Sequence, residues 1–138
     1  MVVIHRVVPP VDARSLNLSG NKLTGPLPTL LTSLSHLEVL SLSYNAFSGT
    51  APVWLGSMTP LRLLDLSANA LTGTLPATLA LLMPVQGGNV EPVEVGGGLL
   101  LEDNCFTMPP PAPLATACAA NQTDTQTYCV FVPQGSAC

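Results

Sequence analysis

The sequence predicts a repeat solenoid of the α/β class, and three columns of residues predict it. Asn21, Asn45 and Asn69, then Gly25, Gly49 and Gly73, then Pro28, Pro52 and Pro76, each recur every 24 residues. A Leu-x-Leu pair precedes each asparagine: Leu16 and Leu18, Leu40 and Leu42, Leu64 and Leu66. Each pair is followed by Ser19, Ser43 or Ser67, and each asparagine by Leu23, Phe47 or Leu71. A unit this short cannot bury its own apolar side, whereas a stack of such units can.

Each column has a physical role. In Leu-x-Leu both leucines lie on one side of an extended chain, so the sheet they build has a core face and an open face. The asparagine amide satisfies backbone groups where the chain leaves the strand. The glycine admits a positive φ at the next bend. Proline then restricts a return segment whose Leu31 and Leu34, Leu55 and Met58, or Leu79 and Leu82 point back into the core.

Residues 13–82 hold three such repeats, and residues 1–12 stand before them as an incomplete N-terminal cover or the edge of a longer array. The next asparagine would fall at position 93, which is Val93. Residues 83–98, rich in Gly, Pro and Val, read as an irregular insertion. A degenerate fourth repeat spans 99–111, with Leu99, Leu101 and Phe106 at core positions, Asn104 in the asparagine column and a strand expected near Leu99–Leu101. The Pro-rich stretch from Met108 to Pro113 cannot continue a helix, and residues 112–138 are expected to form a cysteine-containing cap over the last coil.

The pattern Leu-x-Leu-Ser-x-Asn-x-Leu/Phe-x-Gly-x-x-Pro resembles the plant-type extracellular leucine-rich repeat, closely over about residues 13–82 and loosely over 99–111. The resemblance implies a right-handed superhelix with a parallel concave sheet and short helical or irregular convex segments. It also implies a second short strand near Thr24–Pro26, Ser48–Thr50 and Thr72–Thr74. Such domains form receptor-like kinase and receptor-like protein ectodomains, or secreted inhibitors of wall-degrading enzymes. They usually begin with a cysteine-containing cap, and this chain has no cysteine before Cys105.

Composition bounds the function. With 47% hydrophobic and 9% charged residues the chain can bury a core. Its net charge is −4, and Arg6, Arg14, Lys22 and Arg62 form no cluster, so the electrostatic footprint of nucleic-acid binding is missing. No apolar stretch reaches the roughly 20 residues that span a bilayer. Cys105, Cys118, Cys129 and Cys138 match no short-spaced metal motif, and disulfides explain them better. Of three possible pairings, Cys105–Cys118 with Cys129–Cys138 is expected because both close short local loops. Disulfides imply an oxidising, extracellular or cell-surface location. The sequons at Asn17 and Asn121 are candidate glycosylation sites that agree with it.

The open strand face should carry Ser15, Asn17 and Ser19, then Val39, Ser41 and Ser43, then Leu63, Asp65 and Ser67, with Gly20, Tyr44 and Ala68 just beyond. The serines recur with the repeat. The informative variables are Asn17, Ser41, Tyr44, Arg62 and Asp65, the expected ligand-binding residues. Trp54 is expected to pack on the core, and neither His5 nor His36 has partners for catalysis or metal binding. Without a nucleophile elbow, phosphate loop or metal motif, the expectation is no enzyme and no cofactor. A recognition module for a protein, peptide or glycan is expected. The alternatives are an enzyme inhibitor and a structural wall protein or gene relic without a ligand.

Overall fold

A computed structural model describes residues 12–82, 98–107, 109–121 and 128–130, the last two stretches in backbone only from residue 117 onward. Two all-parallel sheets run through it. One carries β1 (Ser15–Asn17), β3 (Val39–Ser41), β5 (Leu63–Asp65), β7 (Gly98–Leu100) and β9 (Tyr128–Val130), in that order. The other orders β2 (Thr24–Gly25), β4 (Ala46–Thr50), β6 (Ala70–Thr74) and β8 (Cys105–Thr107). The first sheet pairs Leu16 with Leu40, Leu40 with Leu64 and Leu64 with Leu99, so equivalent residues of successive coils stand side by side.

The return segments are 3-10 helices at Thr29–Ser33, Val53–Ser57 and Ala77–Leu82. The reason lies in a three-residue apolar step. Leu31, Leu34 and Leu37 follow Pro28, and Leu55, Met58 and Leu61 follow Pro52. A helix with three residues per turn puts all of them on one side. The amides of Leu31, Leu34 and Leu37 donate to Pro28, Leu31 and Leu34 carbonyls, and Leu55, Met58 and Leu61 repeat the series.

The core lies between the sheets and these segments. Leu40, Leu42, Leu64, Leu66, Leu99 and Leu101 are buried from the first sheet, and Phe47, Leu71 and Phe106 from the second. The return segments bury Leu31, Leu34, Leu55, Met58, Leu79 and Leu82, and Trp54 packs half-buried against the cluster. Of each expected Leu-x-Leu pair the first leucine lies on the strand and the second just past it.

Three expectations need correction. Leu16 and Leu18 are only half-buried, because in the described structure β1 is the edge strand and has a neighbouring coil on one side alone. The first sheet has a fifth strand, β9, pairing with β7 inside the segment expected to be a cysteine-containing cap, where no strand was expected. That segment also contains α1 (Ala112–Asn121). Pro113 sits in its first turn, where no intrahelical N–H bond is lost, so proline starts this helix and does not prevent it. Leu114 fills the end of the core, fully buried.

The insertion lies outside the described residues up to 97, and β7 begins at Gly98. Cys105 is disulfide-bonded. The expected pairing involves Cys118, Cys129 and Cys138, whose side chains lie outside the described residues.

Candidate functional site

The concave face is built on an asparagine ladder. Asn45 Nδ2 donates to the carbonyls of Leu18 (2.9 Å), Leu42 (3.0 Å) and Ser43 (3.2 Å), and its Oδ1 accepts the Leu23 amide at 3.0 Å. Asn69 repeats this with Leu42, Leu66, Ser67 and the Phe47 amide. Buried Asn104 does so with Leu66, Leu101, Glu102 and the Leu71 amide. Each side chain thus joins its own coil to the one before. Asn21, in the first coil, bonds only Leu18 and Ser19 carbonyls among the described residues.

Just before each asparagine the backbone turns left-handed, at Gly20 (φ 67°), Tyr44 (φ 53°), Ala68 (φ 50°) and Asp103 (φ 54°). This conformation suits glycine and is uncommon for a bulky residue. Tyr44 nevertheless occupies it, 69% exposed, between the small Gly20 and Ala68 of adjacent coils. Its amide donates to Ser67 O at 3.1 Å, which fixes it beside the end of the next coil's strand.

The outward column Asn17, Ser41 and Asp65 is tied to the serines that follow. Asn17 Oδ1 accepts from Ser19 N (2.9 Å) and Oγ (2.6 Å), and Asp65 Oδ1 from Ser67 N (3.1 Å) and Oγ (2.6 Å). Ser41 Oγ donates to Asp65 Oδ2 at 3.0 Å and lies 3.2 Å from Ser43 Oγ. The serines do not face solvent as expected: Ser43 is 4% and Ser67 6% exposed. Turned inward beneath the column, Ser43 pairs with the Ser41 hydroxyl and Ser67 donates to the Asp65 carboxylate, so Asp65 is held and its charge is shared among three donors.

Arg62 does not join this group. It is exposed at the start of β5, three residues before Asp65, and three extended residues span about 10 Å. It continues instead a column that sequence reading missed: Arg14, Glu38 and Arg62 are equivalent positions, and Arg14 pairs with Glu38 across the first two coils. Repeat alignment would have found it. Also missed are Leu100, half-buried in the column of Asp65, and Asp103 in that of Tyr44.

Ser41 and Asp65 are thus joined by a hydrogen bond, Tyr44 stands exposed three residues beyond Ser41 with its amide on Ser67 O, and Asn17 is exposed at the edge of the sheet. Asn121 and His5 lie outside the residues with described side chains. His36 is exposed, its Nδ1 3.3 Å from Ser35 Oγ. Among the described residues no three His, Cys, Asp or Glu side chains gather to hold a metal, and no helix is long and apolar enough to cross a membrane.

The family model of the leucine-rich repeat matches residues 13–71. No curated protein matches the chain. Among solved structures, a chain of the BIR3–SERK2 complex from Arabidopsis thaliana is similar at 32% identity and a TM-score of 0.62, over 75% of this chain and 50% of that one. The ectodomain of the Arabidopsis receptor kinase HAESA, in complex with an IDA peptide hormone, is similar at 36% identity and TM-score 0.55, over 70% of this chain and 14% of that one. A plant ice-binding protein is similar at 30% identity and TM-score 0.56, over 67% and 27%. The chain thus spans half or less of the length of these structures.

Proposed function

Because the chain belongs to the plant-type leucine-rich-repeat family, we propose that it is a non-catalytic, extracellular recognition module of the receptor-ectodomain type. Its partner, a protein, peptide or glycan, lies along the concave face. The observation that carries this is Tyr44, a large exposed residue held at positive φ, whose amide is bonded to the carbonyl of Ser67, the residue that also holds the Asp65 carboxylate. Strained residues persist where the surroundings hold them, and they cluster at binding sites. A ring and polar groups on a rigid strand ladder lose little entropy when a ligand arrives. The similarity to the HAESA ectodomain, solved with a peptide hormone, supports the same reading.

The deciding variant is Tyr44→Gly, since glycine suits the backbone there and leaves the Asp65 network in place. Plant secreted peptides and wall oligosaccharides are arrayed and probed with the chain, and every binder is titrated against both forms. Tyr44→Gly should weaken a genuine partner by more than about 1 kcal/mol while the protein stays folded. Equal affinity of both forms for every binder would move the site off the concave face.

A second reading, binding to ice, is supported by the similarity to the plant ice-binding protein and by the uncharged, hydroxyl-bearing outer face of the second sheet.

A further inference from the structure

We propose that the outer face of the β2-β4-β6-β8 sheet binds the surface of ice through rows of threonine and serine, an inference that rests on the second reading above and gives it a location. Alternation along the strands makes the face. Phe47, Leu71 and Phe106 point into the core, so Ser48 and Thr50 on β4, Thr72 and Thr74 on β6 and Thr107 on β8 are left exposed, as is Thr24 on β2. Ala46 and Ala70 complete the outward positions of the two long strands, both exposed.

The hydroxyls are ordered in two directions. Register puts Thr50 beside Thr72 and Thr74 beside Thr107, at the strand separation of about 4.8 Å. Along a strand, Ser48 and Thr50, or Thr72 and Thr74, are two residues apart, each pair flanking a glycine at positive φ (Gly49 at 82°, Gly73 at 77°). Branching at Cβ leaves threonine few rotamers, so each presents a methyl and a hydroxyl in a fixed relation. Thr72 Oγ1 lies 3.5 Å from Gly49 O, and the Thr50 methyl is 3.0 Å from where a Cβ on Gly73 would be.

What the face lacks points the same way. None of its four strands carries Asp, Glu, Lys or Arg, and the nearest charges in the sequence are Lys22 and Asp103, two residues before β2 and β8 respectively. No aromatic ring or arginine projects from it, so it offers a macromolecular partner none of the usual anchors. A rigid lattice of small donors, acceptors and methyl groups suits a partner that is itself a lattice of hydrogen-bonded oxygens.

The test watches single ice crystals in a solution of the whole chain cooled just below melting. Wild type should shape crystals into facets and slow recrystallisation. Ser48→Lys with Thr74→Lys should abolish both, and Thr107→Lys, a change on a separate strand, should do the same. Circular dichroism and the melting temperature of each variant should match wild type. Tyr44→Gly should facet crystals like wild type. Round crystals with wild type, as in buffer alone, would overturn the proposal and the ice reading together. Facets that persist with both folded lysine variants would overturn the face alone and leave ice binding to another surface. Retention of the chain on insoluble polysaccharide with no change in ice shape would likewise overturn it.

Discussion

At the scale of single residues, the asparagine column shows how one side chain makes a fold cooperative. Asn45 engages three carbonyls and one amide, and two of those four partners belong to the preceding coil. Asn45→Ala would remove all four bonds at once in a half-buried site, leaving the Ser43 carbonyl only its bond from the Gly20 amide. Denaturant unfolding should register a loss of about 1–3 kcal/mol. Asn21→Ala, which removes two bonds at an exposed position, should cost less. Equal losses would mean that joining coils contributes nothing beyond the local turn. Asp65 offers a different lesson, because a residue expected from the sequence to bind ligand is also held by Ser41 and Ser67. Its substitution would disturb binding and local structure together, which is why Tyr44 is the better probe.

At the scale of elements, the 3-10 return segments set how closely coils approach on the convex side. Gly56 is buried, and a Cβ placed on it would lie 2.3 Å from the Thr78 carbonyl oxygen of the next coil. Thr78 in turn donates its hydroxyl to Val53 O at 3.0 Å, so the two segments are held together where the glycine admits them. Backbone is in the way of a methyl group, and backbone cannot rotate aside. Gly56→Ala should therefore destabilise by about 1–3 kcal/mol through overpacking, seen as a lower unfolding midpoint with an unchanged slope. The equivalent positions are Thr32 and Ala80, so glycine is a feature of this one coil contact. An unchanged midpoint would show that the segments separate freely. The 3-10 form itself was legible in the three-residue leucine step after each proline.

At the scale of the whole molecule, stability is a sum over neighbouring coils, and the ends are where it is weakest. On the C-terminal side α1 packs against the Ala77–Leu82 segment and drives Leu114 into the core. Leu114→Ala should cost about 2–5 kcal/mol. Amide exchange should quicken most in β7 and β8 and least in β3 and β4, because loss of the helix uncovers the fourth coil first. Uniform acceleration would instead describe a molecule that opens only as a whole. At the other end, half-buried Leu16 and Leu18 mark the coil that has one neighbour among the described residues.

The sequence by itself determined the solenoid, its inward leucines and its asparagine ladder, because a 24-residue period imposes the same environment on Leu40 and Leu64, or on Asn45 and Asn69, and one reading serves every coil. The second short strands were legible for the same reason, through the family resemblance. Only the tertiary structure decided the helix and strand after the fourth coil, since the sequences of residues 112–121 and 128–130 occur once and take their form from the surface they cover. It also decided what lies beside what on the concave face. The pattern placed Arg62 and Asp65 together as polar variables and turned Ser43 and Ser67 outward. Strand rise separates the first pair, and the hydrogen-bonding capacity of Asp65 and the Ser41 hydroxyl draws the two serines in. Tyr44 was visible as an exposed aromatic residue, but Gly20 alone in its column hinted at a left-handed backbone, and the structure showed that every coil takes one there.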